Sequence, residues 1–204
     1  MLIRCGLLFI ANSTDSANAD AVLAEVQGML GGALDRILPL ASRVYAAPHR
    51  YQIEETLRHW CDEEEIDLIV TVGGTFPAPG PSADEIVPEA TAAVLERMMP
   101  SLSETMRARA AATNPMALLD RGVAGIRGRT LIINLPGQEA LTATFLESIL
   151  SVIPSVTARL GTEEEVTIVE EAPIAREPET APPRAGALDS EEFAAFLRRR
   201  QKDG

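Results

Sequence analysis

Asp67-Leu68-Ile69-Val70-Thr71-Val72-Gly73-Gly74-Thr75 is the stretch on which the fold turns. Its first six residues are apolar almost without interruption, of strand length, and stopped by two glycines. A strand apolar on both sides predicts burial on both faces, as in a parallel sheet covered by helices. The same signature recurs downstream. Arg129–Leu135, with Thr130-Leu131-Ile132-Ile133-Asn134-Leu135 at its heart, reads as another buried strand, and Pro136-Gly137 leads from it into a long helix. Upstream, Leu2–Ile10 reads as a first buried strand and Arg43–Ala47 as a short one.

Helical periodicity fills the intervals. Ala21, Val22, Val26, Met29 and Leu30 recur at helical spacing between Asp15 or Ser16 and Leu34, with Gly31-Gly32 weakening the end. Ile53, Leu57 and Trp60 make a stripe on a second helix, closed by the acidic run Asp62–Glu65. Pro88–Met99 reads as a third helix with proline in its first turn. A fourth restarts at Pro100, where Ser101 and Glu104 have capping-box spacing. Strands alternating with helices predict an α/β fold: a three-layer α/β/α, doubly wound, mainly parallel sheet.

Composition agrees and bounds the function. Of 204 residues, 46% are hydrophobic and only 4% aromatic, so aliphatic side chains must fill the core. A formal net charge of -12 argues against nucleic acid as a partner, because phosphate-backbone affinity rests on clustered Lys and Arg. No apolar run reaches membrane-spanning length and no leader segment is evident, so a soluble, cytoplasmic protein is expected. Cys5 and Cys61 lack metal-ligand spacing and read as buried thiols. Beyond Gly161 the composition changes. Residues 161–187 are acidic and punctuated by Pro173, Pro178, Pro182 and Pro183, which predicts a flexible linker, with Val166–Val169 as a short β-type run. Residues 188–204 read as a short amphipathic helix capped by Asp189, with Phe193, Phe196 and Leu197 ahead of Arg198-Arg199-Arg200. The domain itself is expected to span residues 1–160.

Ligands of a parallel sheet bind beyond the carboxyl ends of its strands. Two loops there have anion-binding character. Gly73-Gly74-Thr75 offers close backbone approach and a hydroxyl. Asn134-Leu135-Pro136-Gly137 opens a helix whose free N–H groups and dipole favour negative charge. A lysine-containing P-loop is absent, as is a Rossmann glycine fingerprint after the first strand, which runs into Ala11-Asn12-Ser13-Thr14-Asp15-Ser16. Neither a Ser-His-Asp arrangement nor a zinc-ligand cluster is visible. His59 is expected on a helix surface, and His49 starts that helix from a loop.

The ordered run Asp120-Arg121-Gly122-Val123-Ala124-Gly125-Ile126-Arg127-Gly128-Arg129-Thr130-Leu131-Ile132-Ile133-Asn134-Leu135-Pro136-Gly137 resembles the MogA/MoaB family of molybdopterin adenylyltransferases and molybdopterin-binding proteins. Asp67–Thr75, Pro88-Glu89-Ala90-Thr91, Met99-Pro100 with Glu104, Met106 and Arg107, and Val152-Ile153-Pro154 support it across residues 1–160. The resemblance implies a homotrimer that binds the pterin, molybdopterin, and adenylylates its terminal phosphate with ATP and Mg²⁺. It implies cofactor-binding roles for Gly73, Gly74, Thr75, Asp120, Arg121, Asn134, Pro136 and Gly137. Asp84 or Glu85 is the carboxylate expected to serve catalysis and hold the metal.

This chain departs from the family's pattern at the same loops. Phe76 replaces the last glycine of Gly-Gly-Thr-Gly, Pro77–Ala83 lengthens the following loop, and Glu85-Ile86-Val87-Pro88 stands for its acidic tetrapeptide. Ala11-Asn12 aligns with the family's Ser-Asp, Pro48-His49 with its Pro-Asp, and Asp120-Arg121 with its Ser-Arg. Two readings follow: a cofactor-assembly enzyme, or a non-catalytic scaffold or carrier of the same fold. A third is a nucleotide-binding module for an unrelated ligand, since fold does not imply function.

Overall fold

A computed structural model describes residues 3–10, 16–34, 41–45, 49–77 and 86–161. The expected linker from residue 162, the Val166–Val169 run and the terminal helix lie outside them. The chain order is β1 (Cys5–Ile10), α1 (Ser16–Ala33), β2 (Ala41–Tyr45), α2 (Arg50–Asp62), β3 (Leu68–Val72) and α3 (Val87–Val94). It continues with β4 (Arg97–Met98), α4 (Pro100–Ala111), a 3₁₀ turn (Pro115–Leu119), β5 (Ala124–Arg127), β6 (Thr130–Leu135), α5 (Glu139–Ile149) and α6 (Ile153–Gly161). Six strands form one sheet in the order β2-β1-β3-β6-β5-β4. The first four run parallel, and β5 and β4 are antiparallel additions at one edge.

The uniformly apolar strands are explained by burial on both faces. Leu7 and Phe9 of β1, Leu68, Val70 and Val72 of β3, and Leu131, Ile133 and Leu135 of β6 face one core, closed by Val22, Val26, Leu30, Met106 and Phe145. The alternate residues Leu8, Ile10, Ile69 and Ile132 face a second core with Ile53, Leu57 and Trp60 of α2 and Val87, Ala90 and Val94 of α3. The period-2 alternation of strand side chains divides each run between two cores. The three-layer, doubly wound, mainly parallel arrangement is therefore as expected.

Four local expectations are corrected. The second strand lies at Ala41–Tyr45, two residues ahead of the expected start. The third helix ends at Val94, not Met99, because Leu95 turns extended and Arg97–Met98 pairs with Gly125 and Ile126 as an edge strand. Gly125 permits that crossing, since a Cβ there would lie 2.5 Å from the Arg97 carbonyl oxygen. Ser101 caps nothing: α4 starts from Met99 with Pro100 in its first turn, and the Ser101 carbonyl accepts the Thr105 hydroxyl at 2.7 Å. The long helix after Gly137 is two helices bent by 59°, because Pro154 has no N–H with which to continue the first.

Both cysteines are buried and unpaired. Burial, with the Asp67 charge adding to it, pushes the Cys5 thiol up to about 12. Burial also raises Cys61 to about 11, against an opposing hydrogen bond from Thr130. Both should resist iodoacetamide at pH 8 in the folded protein and react in urea, as read by mass spectrometry; labelling of either in native buffer would contradict this burial.

Two glycines should respond oppositely to alanine. A Cβ at Gly6 would sit 2.8 Å from the buried Trp60 ring, whereas none of the described atoms lies within 4 Å of one at Gly28 in α1. Gly28→Ala should stabilise by about 0.5–1 kcal/mol in urea unfolding. Gly6→Ala should cost about 1–3 kcal/mol. Shifts of the same sign would refute the packing described.

Candidate functional site

Three parallel strands end side by side, and the loops leaving them meet. Gly73, directly after β3, has φ +96°, and its N–H donates to the Leu135 carbonyl oxygen at the end of β6 (2.9 Å). A Cβ on Gly73 would lie 2.5 Å from the Ile10 carbonyl oxygen at the end of β1. Gly74 has φ +70°, and a Cβ there would lie 2.6 Å from Val87 in the first turn of α3. Only glycine takes this conformation and this crowding together without strain. A Cβ on Gly137 would in turn meet the Gly73 Cα at 3.2 Å. The two glycine loops singled out in the sequence are thus in contact.

The far end of the β3 loop is clamped by side chain and backbone. Thr75 is buried, and its hydroxyl donates to Asp120 Oδ2 at 2.5 Å. Its carbonyl oxygen accepts the Arg121 N–H at 2.9 Å. Asp120 Oδ1 accepts the Gly122 N–H at 2.9 Å and faces Arg107 Nη1 at 3.7 Å, while the same Arg107 nitrogen donates to the Gly122 carbonyl oxygen. Burial pushes the Asp120 carboxyl above the ordinary carboxylate range, opposed by the Thr75 hydroxyl, the Gly122 N–H and the Arg107 charge. The Arg121 guanidinium pairs with Glu89 in the first turn of α3. The second Glu89 oxygen is buried with no described partner.

Asn134 turns away from the loops and into the layer between sheet and α3. Its Nδ2 donates to Thr71 Oγ1 (2.7 Å) and Thr91 Oγ1 (2.9 Å), and its Oδ1 accepts the Val123 N–H (3.1 Å). Pro136 is held through its carbonyl oxygen, which accepts the Thr142 hydroxyl at 2.6 Å. Gln138 precedes α5 without a side-chain cap; the Leu141 N–H turns back to the Gln138 carbonyl oxygen (2.9 Å), and the Glu139 and Ala140 N–H groups of the first turn have no described acceptor. The Gly74 and Thr75 N–H groups are in the same state among the described residues. Phe76 is half-buried against the core that contains Phe9, Val72 and Leu135. It is not among the nearest atoms to the space beside Gly73, Gly74 or Gly137.

Gly73, Gly74, Thr75, Asp120, Arg121, Asn134, Pro136 and Gly137 therefore come together at one end of the sheet. Asp84 and Glu85 lie outside the described residues, as do Ala11-Asn12 and Pro48. His49 stands at the N-terminus of α2, its backbone N–H bonded to Gln52 Oε1. His59 lies on the exposed face of α2 beside Glu63 and Glu64. Sequence reading had not assigned site roles to Arg107 and Glu89. Their signal was that both stand among the residues carrying the family resemblance, Glu89 beside Pro88 and Arg107 beside Met106, which says nothing of the acid or base each meets.

This geometry has counterparts of known kind. Residues 38–157 match the family described as a probable molybdopterin binding domain. Over 108 residues the chain is 44% identical to a molybdopterin adenylyltransferase of Helicobacter pylori, a match spanning 53% of this chain and 59% of that protein. It is 34% identical over 149 residues to the molybdopterin adenylyltransferase of Haemophilus influenzae, covering 72% of this chain and 73% of that one. The crystal structure of the molybdopterin biosynthesis enzyme MoaB from Thermus thermophilus superposes with a TM-score of 0.67 at 34% identity, over 78% of this chain and 96% of that one. The molybdopterin biosynthesis Mog protein from Mycobacterium ulcerans gives 0.66 at 31% identity, over 78% and 98%. A family match over more than half the chain, together with relatives and solved structures of the same kind, establishes that the chain belongs to the MogA/MoaB family of molybdopterin-binding domains.

Proposed function

We propose that the chain binds molybdopterin by its phosphate at the meeting of the β3 and β6 loops, and adenylylates it with ATP. The observation that carries this reading is the approach of Gly73 and Gly137, which gathers the Gly74 and Thr75 N–H groups near the N-terminus of α5. Backbone donors and a helix dipole suit an anion in a chain of net charge -12. In the transfer, an oxygen of the pterin phosphate bonds to the α-phosphorus of ATP, the α–β bond breaks, and pyrophosphate leaves. The chain's own part is to fix the two phosphates in line and neutralise their oxygens.

Mg²⁺ fits this site through carboxylates rather than nitrogen or sulfur donors. Among the described residues no group of three or more His, Cys, Asp or Glu is placed to hold a metal. Mg²⁺ needs only one or two carboxylates beside phosphate oxygens and water. Asp84 and Glu85 immediately precede α3, whose Glu89 has one buried oxygen without a described partner. Asp84 or Glu85 would hold the ion, and the ion would offset charge developing on the transferring phosphate.

A second reading is binding without transfer. It is favoured by Asp120, a buried acid where the family has serine. As to assembly, the 3₁₀ turn exposes Met116, Leu118 and Leu119 together, which supports a contact between copies in the proposed homotrimer.

Calorimetric titration with molybdopterin, then with Mg²⁺-ATP, separates the readings. Pterin binding with ATP-dependent attachment of AMP is expected; binding alone would leave only the carrier, and no binding would remove both. Gly74→Ala should weaken binding about tenfold or more, equivalent to about 1.4 kcal/mol. Asp84→Asn with Glu85→Gln should lower transfer while leaving pterin affinity in place; unchanged transfer would remove their metal role. Sedimentation equilibrium should give three times the monomer mass, reduced by Leu118→Glu.

A further inference from the structure

The clamp on the β3 loop has a division of labour that the family's pattern does not supply. Between Gly73, tied to β6, and Thr75, tied to the 120–122 segment, the chain has no slack. The Gly73 N–H is spent on Leu135, the Thr75 carbonyl on Arg121, and the Thr75 hydroxyl on Asp120. What remains without a described partner is the pair of N–H groups at Gly74 and Thr75. Asp120 itself is 5% exposed, with both carboxylate oxygens engaged from inside the protein. A carboxylate so enclosed cannot be a surface ligand for a phosphate or a cation without losing these partners.

We propose that Asp120 is a positioning residue that acts through the Thr75 hydroxyl to hold the Gly73–Thr75 loop in its anion-binding shape, and does not contact the ligand. The inference rests on the phosphate site proposed above. It also revises the expected role of Thr75. Its hydroxyl proton is directed at Asp120, so its contribution to an anion is the backbone N–H. Arg107 neutralises the buried charge, so the negative residue adds little repulsion toward the ligand beside it.

The test uses the full chain and two readouts. Hydrogen–deuterium exchange over residues 73–77 reads the clamp without any ligand, and ATP titration with Mg²⁺ reads the site. Thr75→Val should raise exchange about tenfold, the effect of losing one hydrogen bond to a charged group, and Asp120→Ala by at least as much, since it also frees the Gly122 N–H. Combining them should add nothing beyond Asp120→Ala alone, because both remove one link. Thr75→Ser should restore slow exchange. Asp120→Asn should stay close to the parent, since its amide donates to Thr75 while its carbonyl accepts from Gly122. ATP affinity should follow exchange across the set.

Exchange in Thr75→Val equal to the parent, or additive effects in the double variant, would overturn the inference. So would ATP affinity that falls in Asp120→Asn while exchange does not, which marks direct contact. Should Asp120→Ala fail to fold, Thr75→Val and Thr75→Ser still decide it. If the parent chain binds no ATP, the nucleotide reading fails while exchange still judges the clamp.

Discussion

One buried amide holds the architecture of the site together. Asn134 is fully enclosed, and through its side chain β6 is joined to Thr71 of β3, to Thr91 of α3 and to the backbone at Val123. Left without a partner, the buried amide itself would cost about 1–3 kcal/mol. Because β3 and β6 pair in register from Leu68–Leu131 to Val72–Leu135, the amide also fixes where the two strands end relative to each other. The contact of Gly73 with Gly137 follows from that register. A slip of one residue would turn Asn134 into the opposite core and separate the loops.

The electrostatics of the site follow from how few bases are left to serve it. Arg107 faces Asp120, and Arg121 is paired with Glu89. Both of these guanidinium groups thus have acidic partners already. An anion must then be held chiefly by backbone dipoles, whose strength depends on direction and exclusion of water rather than on net charge. This makes loop conformation decisive, and the crowding at Gly73 and Gly74 leaves no room for a side chain there. It also reconciles an acidic chain with an anionic ligand.

Much of the fold could be read from residues. The runs at β1, β3 and β6 are long, continuous and bounded by glycine or proline, so their pattern alone distinguishes them. The β4–β5 edge could not be read this way. Arg97–Met98 is two residues long and exposed, and its pairing with Gly125 and Ile126 is a contact of distant segments that overrides the helical pattern of Pro88–Met99. Gly128, with φ +54° between Ile126 and Leu131, was the available sign of a hairpin. The site was legible by type and place at its glycines, whose conformational need is local. It was illegible at Asp120, Glu89 and Arg107, because the sequence displays charges but not which of them meet. Asp120 looked like negative charge beside a phosphate, whereas its carboxylate is enclosed by Thr75, Gly122 and Arg107.

The departures from the family's pattern that can be placed share one physical character. Phe76 sits where a glycine is usual, yet it is half-buried and packs against the larger apolar core. Asp120 sits where a serine is usual, yet its carboxylate is turned inward and its charge faces Arg107. Each replacement adds bulk or charge at the edge of the binding region and directs it into the protein. Neither needs the Gly74 or Thr75 N–H groups or the first turn of α5 for its own satisfaction. Both changes leave the positive φ of Gly73 and Gly74 in place, and with it the backbone shape that the proposed anion site uses.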